Sequence, residues 1–514
     1  MTVRKRRSRW IVAALAVLVL VVLGIAFRLA LPALLERALA ATARAYGVEA
    51  RAEVQSVGWR RAELADLQTD LAGLRVARTE VRYSVLDLLR RRVDAVELTG
   101  VVVETPLGPL QARLVIELDG NDVRVRDGEV ELPELRAGAL GIAIDAEWAM
   151  GDAGPSALGT IRVEEIRTRD PAYAPPLALE GEFELDTERG ALTGTLRDPG
   201  DVLVAEIEAR HRFRESAGSA SARLEPVEFA PDALQPGDLS PLFADLVENV
   251  SGTARAAAGA RWSDGKLRYE IDLLLDRVSL EAQGLRVRGV DGDLHYAHPR
   301  ERRLGLAQRI AFERGEGVVA VSDVVLRFAP SQSGLHMDEI RFGLFGGTVE
   351  GSGDYDAASG ETRLDLRAVD LDLGALLAQL QIDGLTGTGK LAGEIPVRVG
   401  GNHLWIEGGR LASGPEGGTI RYQPAVSPKG GDPALDLVID IVENFRYESL
   451  AAGLNGDLRD ELVVALRLVG ENPDLGTPVD LTVTLSEHLG AVFEGLGIVG
   501  GIRDAFEARV RAGE

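Results

Sequence analysis

Over most of its length the chain alternates apolar and polar residues with a period of two. The run TRLDLRAVDLDL at residues 362–373 shows the pattern. Leu364 and Leu366 alternate with charged residues, and the alternation shifts by one residue at Val369. A period of two is that of a β-strand, and the shift predicts a β-bulge. Each such strand has one aliphatic face and one charged face.

Strands of this kind follow one another after Gly47 and are joined by Gly, Asp or Pro turns, as in LALEGEFELDTERGALTGTL at residues 177–196. The pattern therefore predicts a mainly β chain. Helical periodicity is confined to short segments at 84–92, 238–250, 372–381 and within 487–512. So many strands with so few helices require one very large sandwich, a row of sandwiches, or one long antiparallel sheet curled along its length.

The N-terminus combines a basic segment with an apolar one. Residues 11–27 (IVAALAVLVLVVLGIAF) carry no charge, and at about 1.5 Å per residue they are just long enough to cross the hydrocarbon core of a membrane as a helix. We expect Trp10, Ile11 and Phe27 to mark this anchor, with the basic residues before it in the cytoplasm and the body on the far side. A cleaved signal peptide is the alternative, but the apolar run exceeds the usual length of its hydrophobic region.

Composition and charge exclude several function classes. The chain has 514 residues, a net charge of −23 and no cysteine. Without cysteine it has no thiolate catalysis, no Cys-based zinc site and no disulfide. Its strongly acidic body repels nucleic acid, which is therefore not an expected partner.

Two motifs resemble ligand-binding loops and fail at defining positions. GLTGTGKL at 384–391 satisfies the GxxxxGK of a phosphate loop. However, Leu391 replaces the Ser or Thr that binds magnesium, and a strand pattern follows where a helix is required, which favours a glycine-rich hairpin. DYDAASGE at 354–361 begins like a calcium loop, but Ala358 and Ser359 occupy the places of a ligand and of the obligatory glycine. This segment is expected to be a turn between two strands.

No other pattern indicates reaction chemistry. His295 and His298 are the one close pair among six histidines, and on a strand they would point to opposite faces. Neither a GxSxG nor an HExxH motif is present. We therefore predict no catalytic residue, no metal site and no cofactor.

Longer segments resemble a known family. YSVLDLLRRRVDAVELTGVVV at 83–103 resembles the N-terminal signature of the AsmA-like bridging proteins, which start with one membrane helix. IRFGLFGGTVEGSG at 340–353 and FRYESLAAGLNGDLRDELVVALRLVGENPDLGTPVDLTVTL at 445–485 resemble the YdbH family within that group. The resemblance implies a non-enzymatic, periplasmic β-groove shaped like a taco. It also implies anchoring in the inner membrane of a Gram-negative bacterium, transport of phospholipid toward the outer membrane, and a YnbE-like outer-membrane lipoprotein partner at the C-terminal end of the groove.

The expected fold is a single N-terminal transmembrane helix followed by an elongated, curled antiparallel β-sheet with a few short helices. The expected segments are a cytoplasmic basic tail at 1–9, a transmembrane anchor at 10–28, a short periplasmic helix at 29–47, the N-terminal part of the groove at 48–235, its YdbH-like C-terminal part at 236–486, and a helical segment at 487–514.

Candidate lipid-contacting residues are those on the apolar parity of the C-terminal strands. They are Leu326, Phe328, Ile340, Phe342, Leu344, Leu364, Leu366, Leu371, Leu373, Leu435, Leu437, Ile439, Leu462, Val464, Leu466, Leu481, Val483 and Leu485.

Two other functions are compatible with the same strands. Because related TamB proteins are linked to outer-membrane protein assembly, a scaffold or assembly factor is the main alternative, in which the aliphatic residues form an ordinary core. Dicarboxylate transport is a label attached to the YdbH resemblance. We rank it low because one membrane helix gives a small polar solute no path.

Overall fold

A computed structural model describes residues 31–41, 44, 50–69, 74–84, 86, 90, 93–105, 108–119, 121–133, 137–151, 154–168, 175–240, 243–244, 246–282, 285–317, 319–380, 382–401, 403–424, 439–458 and 460–487. The chain divides into two compact units. Unit 1 comprises Met1–Glu225 and Gly259–Arg268, and unit 2 comprises Pro226–Ala258 and Tyr269–Glu514. The division predicted from sequence between residues 235 and 236 stays a prediction.

The first twelve strands all lie in unit 1. They are β1 (Ala50–Val57), β2 (Arg61–Thr69), β3 (Leu74–Arg82), β4 (Ala95–Thr105), β5 (Gly108–Asp119), β6 (Asp122–Leu132), β7 (Ala137–Gly151), β8 (Gly154–Thr168), β9 (Leu177–Leu185), β10 (Arg189–Arg197), β11 (Val204–Arg212) and β12 (Ala217–Leu224). Each strand pairs antiparallel with the next one in the chain. This meander needs only short connections, as expected from the turn residues between the strands.

The remaining strands are β13 (Val227–Phe229), β14 (Glu248–Ser263), β15 (Lys266–Ala282), β16 (Leu285–His298), β17 (Gln308–Glu316), β18 (Val321–Pro330), β19 (Gly334–Leu344), β20 (Gly347–Asp356), β21 (Glu361–Asp372), β22 (Leu385–Thr388), β23 (Lys390–Gly400), β24 (His403–Ser413), β25 (Gly418–Tyr422), β26 (Phe445–Asp457), β27 (Leu462–Asn472) and β28 (Thr477–Glu487). β15 begins in unit 1 and continues into unit 2 from Tyr269. From β15 to β21 consecutive strands pair antiparallel, and the meander continues through β23, β24, β26, β27 and β28. The short strands β22 and β25 pair with each other, and β25 also pairs with β26.

The described helices are short. They are α1 (residues 31–41), α2 (Pro236–Leu239) and α3 (Leu373–Gln379), with a single 3₁₀ turn at Arg300–Arg302 and helical residues at 439–442. The predicted mainly β, antiparallel chain with few short helices is confirmed. No helix among the described residues is long and apolar enough to cross a membrane. Trp10, Ile11 and Phe27 lie outside the described residues. So does the helical segment predicted at 487–514, except for Glu487, which ends β28.

Two local predictions from sequence are confirmed in β21. Between β21 and β23, Ala368 lies opposite Gly393 and Leu371 opposite Leu391, so β21 carries one extra residue. Asp370 within this bulge has a φ of 57°, which Asp tolerates better than most residues. The predicted helix after Asp372 is α3, and the Asp372 carboxylate caps it by accepting a hydrogen bond from the Ala375 N–H at 2.9 Å.

The helix predicted at 238–250 is wrong. α2 ends at Leu239, Ser240 is extended with φ −154° and ψ 129°, and β14 begins at Glu248. Ser240 precedes Pro241, and a residue before proline is disfavoured in the α conformation. The proline therefore stops a helix that the apolar periodicity alone would extend.

Helices cover part of the sheet in each unit. In unit 1, Leu31, Leu35 and Ala38 of α1 form a buried cluster with strand residues that include Ala62 and Val81. In unit 2, a second cluster joins Leu373 of α3 and the segment 441–450 to several strands; its members are Val349, Ala368, Leu371, Leu373, Leu391, Leu411, Ile441, Phe445, Tyr447, Leu450, Ala452 and Leu468. In each unit, helical residues therefore bury part of the apolar face of the sheet.

Candidate functional site

In unit 1 one row of apolar residues crosses all twelve strands. Residues directly opposite each other in an antiparallel pair lie on the same face of the sheet, so the strand register can be followed from strand to strand. The row consists of Val57, Ala62, Val81, Val96, Ile116, Val125, Ile144, Ile161, Gly181, Gly194, Ile207 and Ala222. No polar residue interrupts it.

Most of this row is only half-buried. Ala62, Val81 and Val125 are buried, the first two in the cluster with α1. The other side chains of the row are of intermediate exposure, including Ile144 and Ile161 on adjacent strands. In a closed sandwich such inward-facing residues would interdigitate with a second sheet and be buried. The row beyond Val125 therefore presents aliphatic surface that neighbouring side chains of the chain only partly cover.

Three comparable rows cross unit 2 and contain half of the residues predicted from sequence. The first is Leu275, Gly292, Ile310, Leu326, Ile340, Gly351, Leu366 and Ile395. The second is Phe342, Val349, Ala368, Gly393, Leu411, Ala452, Leu466 and Val483. The third is Phe328, Met337, Gly353, Leu364, Val397, Ile406, Gly456 and Leu462.

The register also locates four further candidates. Leu344 lies opposite Gly347, and Leu481 lies opposite Leu468. Val464 lies between Leu454 and Leu485, its register partners on the two neighbouring strands. These residues continue the apolar parity of β19, β27 and β28.

The candidates differ in exposure. Four are buried by the chain itself: Leu371 and Leu373 within the α3 cluster, together with Ile439 and Leu462. The half-buried candidates are Leu326, Phe328, Ile340, Phe342, Leu344, Leu364, Leu366, Val464, Leu466, Leu481 and Val483. Leu435 and Leu437 lie outside the described residues. Among the candidates whose burial the structure describes, the half-buried group presents surface that a ligand could contact.

The opposite face of the same strands is charged and exposed. Arg341, Glu350, Arg367, Glu394 and Arg410 lie opposite one another in register on β19, β20, β21, β23 and β24, and all five are exposed. The charge alternates in sign from strand to strand, which stabilises neighbouring strands, whereas like charges directly opposite would destabilise them. The sheet of unit 2 therefore has one aqueous face and one apolar face.

Gly351 shows how closely the strands approach on the apolar side. It lies between Ile340 and Leu366 in the first row of unit 2. A Cβ built on it would overlap the main-chain oxygen of Asp365 and lie 3.0 Å from the Leu366 Cα. A glycine inside a strand often marks a tight bend or a close approach of another backbone. The β20–β21 pair thus requires glycine here.

The motifs that resemble ligand-binding loops serve structural roles. Residues 354–361 span the end of β20, the turn at 357–360 and the start of β21. The Asp356 carboxylate accepts hydrogen bonds from the N–H groups of Ala358 and Ser359 in this turn at 2.8 and 2.9 Å. These two backbone bonds are the main cause of the lowered pKa of Asp356. Among the described residues, no group of three or more His, Asp or Glu side chains could hold a metal ion.

The glycine-rich hairpin expected at 384–391 is wrong, because the two strands of this segment do not pair with each other. A strand does follow the glycines, but β22 pairs with β25 whereas β23 pairs with β21 and β24. Gly389 separates the two strands with a φ of 125°. The Tyr447 hydroxyl donates a hydrogen bond to the Thr388 carbonyl at 2.7 Å, and burial raises the pKa of Tyr447. The segment is a strand switch built around a buried tyrosine.

Sequence reasoning missed the apolar rows of unit 1. Alternation predicts their strands, but all of the candidate residues lie on the C-terminal strands. Ile144, Ile161 and Ile207 lie on the alternating apolar positions of their own strands, as the C-terminal candidates do on theirs. Gly181 and Gly194 interrupt that signal in sequence, because a glycine does not reveal which face of a strand it occupies.

Comparison with known protein families shows which family the chain is similar to. Residues 116–511 match the YdbH-like family, described as intermembrane phospholipid transport protein YdbH. No curated protein and no solved structure shows a significant match to the chain. The family is one of non-enzymatic transport proteins, which confirms the prediction that the chain is not an enzyme, and its function between two membranes agrees with a periplasmic body. Since the match covers most of the chain, from β5 through β28, the chain belongs to the YdbH-like family of intermembrane phospholipid transport proteins.

Proposed function

We propose that the chain carries phospholipids between the inner and outer membranes of a Gram-negative bacterium, with acyl tails lying against its apolar rows. The observation that carries the proposal is the register. Rows of aliphatic residues and glycines, many of them half-buried, cross the strands of each unit, and in unit 2 an exposed charged face lies behind them. The family to which the chain belongs supplies the cargo, phospholipid.

The energetics favour such a surface over diffusion through water. A two-tailed lipid with about 30 methylenes would lose on the order of 24 kcal/mol on entering water, at about 0.8 kcal/mol per CH₂. An aliphatic row removes much of this barrier for tails that lie against it. Because neighbouring strands offer similar Leu, Ile and Val contacts, no strand is a deep energy minimum, and a lipid can move from one to the next. Its polar headgroup remains in water, away from the aliphatic row.

Both ends of the proposed path involve other components. Residues 11–27, flanked by Trp10, are the proposed inner-membrane anchor, supported by their length and by the basic segment before them. At the C-terminal end, β28 pairs with β27 over eleven register positions. We propose that a YnbE-like outer-membrane lipoprotein adds strands to the other edge of β28, since a strand edge is a template for β-augmentation.

Site-specific photo-crosslinking tests the proposal. A photoreactive residue at Leu366 or Val464, both half-buried on the apolar face, is expected to give phospholipid adducts in cells. The matched controls are Asp365 and Ala465, which are exposed on the opposite face one residue away, and they should give none. If Leu366 and Val464 yield only protein adducts, the assembly-factor alternative gains and lipid transport along these rows is wrong.

A further inference from the structure

Unit 1 has an aromatic group at one side of its apolar face. On β7 to β12, one row of register partners lies close to the turns that join β7 to β8, β9 to β10 and β11 to β12. It consists of Trp148, Ala157, Leu185, Gly190, His211 and Gly218. Trp262, from the Gly259–Arg268 segment of unit 1, lies over Gly218, where a Cβ would overlap the Trp262 ring. Phe213 lies over Gly190, with its Cζ atom 3.4 Å from the position of a Cβ. We call His211, Phe213 and Trp262 the aromatic lip.

The aromatic lip is an ordered group with polar atoms. The Trp262 indole Nε1–H donates to Nδ1 of His211 at 3.0 Å. The two rings stack with centroids 6.0 Å apart, and Phe213 meets His211 edge-on at 5.2 Å. Phe213 is 46% exposed, so a bound molecule can reach this group. Rings with an apolar body and a polar edge are typical of the level at which a membrane changes from hydrocarbon to headgroup.

At the other end of the same strands, the same face of the sheet is aliphatic. Its row consists of Ile142, Val163, Leu179, Leu196, Ala205 and Leu224. On β12 the two rows are six residues apart, at Gly218 and Leu224. At about 3.3 Å per residue this separation is about 20 Å, and one leaflet of a bilayer has about 15 Å of hydrocarbon. An acyl tail of ordinary length therefore fits along the strands between the two rows.

One arginine places positive charge beside the aromatic lip. Arg210 and Arg212 alternate with His211 on β11, so they lie on the opposite face of the sheet. Arg214 follows Phe213 in the turn after β11 and pairs with Glu188 at 3.4 Å, with both side chains strongly exposed. Because such an exposed pair contributes little to stability, the Arg214 guanidinium can exchange it for a phosphate contact.

From these observations we infer that phospholipid lies on unit 1 in one orientation, with its glycerol and phosphate at the aromatic lip and its tails along β9–β12 toward Leu224. The inference rests on the proposed lipid transport and specifies how the lipid is held. It assigns His211, Phe213 and Trp262 to the boundary between headgroup and tails, a level that the aliphatic rows alone do not distinguish.

Depth-dependent fluorescence quenching tests the orientation. The full chain keeps Trp262 as its one tryptophan, with Trp10, Trp59, Trp148 and Trp405 changed to Phe, and is loaded with phosphatidylcholine carrying a doxyl quencher near the carboxyl end or near the methyl end of one tail. The carboxyl-end label should quench Trp262 several-fold more strongly. The matched variant also carries Trp262→Phe and Leu224→Trp, and there the order should reverse. Circular dichroism checks that both variants keep their strand content.

The outcomes separate this inference from the proposed function. Equal quenching of Trp262 by the two labels, or stronger quenching by the methyl-end label, overturns the orientation. The orientation is also wrong if neither label quenches Trp262 while phospholipid still crosslinks at Leu366, in which case lipid transport stands. If the loaded chain retains no phospholipid and none crosslinks at Leu366, both ideas fail.

Discussion

Leu326→Asp is the sharpest perturbation of the proposed path. Leu326 lies between Ile310 and Ile340 in register, and its side chain is half-buried. It belongs to none of the buried clusters formed by the described residues. A carboxylate at this half-exposed site can keep water around it, so the variant should fold. A tail that passes over β18 would then meet a hydrated charge in place of an aliphatic contact.

The expected slowing follows from the apolar surface that the tail can no longer touch at β18. If a hydrated carboxylate displaces about two methylenes of a passing tail from apolar contact, the barrier at this strand rises by about 1.6 kcal/mol, at about 0.8 kcal/mol per CH₂. That corresponds to about a fifteenfold slower passage, because about 1.36 kcal/mol is a factor of ten in rate. The assay is phospholipid transfer between donor and acceptor vesicles by the full-length protein, or complementation of a strain that depends on it.

The matched control is Arg327→Gln. It changes the net charge by the same amount, −1, one residue away on the opposite face, where Arg327 pairs with Glu339 at 3.2 Å and is 59% exposed. An exposed pair of this kind is worth at most about 1 kcal/mol, so Arg327→Gln should transfer lipid at the wild-type rate. Equal transfer by Leu326→Asp and Arg327→Gln, in variants with the same thermal unfolding, would refute the reasoning.

Three further predictions concern the part of unit 2 closed by α3. Leu371→Ala removes a side chain that is 2% exposed, so it should cost about 2–5 kcal/mol in urea unfolding without changing lipid transfer per folded molecule. Asp372→Ala removes the cap of α3 and should cost about 1 kcal/mol at neutral pH. The Ala375 N–H and Lys390 lower the pKa of Asp372 below 3.8, so the stabilisation is present above that pH and is lost as pH falls toward the lower folded value; the difference between wild type and variant should shrink in acid unfolding. Gly389→Ala would place a Cβ against the Tyr447 hydroxyl and should lower the melting temperature more than Gly401→Ala, where φ is also positive but the space is open.

Alternation in the sequence was sufficient to predict most of the described strands and the bulge after Ala368. It was wrong for Ile439, which was assigned to a strand but lies among the helical residues 439–442. A period of two assigns each residue of a strand to a face without any knowledge of its neighbours. The prediction could not identify which apolar residues the chain would cover. Leu366 and Leu371 have the same chemistry and lie on the same strand, yet Leu371 is buried in the cluster with α3 and Leu366 is only half-buried. Coverage depends on where a short helix returns to the sheet, which is a long-range contact.

The failures at 238–250 and 384–391 have different causes, one local and one long-range. Apolar periodicity predicted a long helix, but the restriction that Pro241 places on Ser240 outweighs it. For the glycine-rich segment, the sequence indicated strands on both sides of Gly389. Which strands they pair with depends on β25 and on Tyr447, both more than 25 residues later in the chain. Register between distant strands is not encoded in a short motif.

In each unit, the helical residues that cover part of the apolar face determine where a lipid tail can lie. In unit 1, α1 buries Ala62 and Val81, so the twelve-residue row is continuously available only on its later strands, where the aromatic lip also lies. In unit 2, the cluster around α3 buries Leu371 and its register partner Leu391, whereas Leu326 and Ile340 remain half-buried. Covering a row with a helix gives stability but removes the surface that a tail would use. The two demands are met at different positions of the same sheet, so stability variants near α3 and transport variants near Leu326 should affect separate measurements.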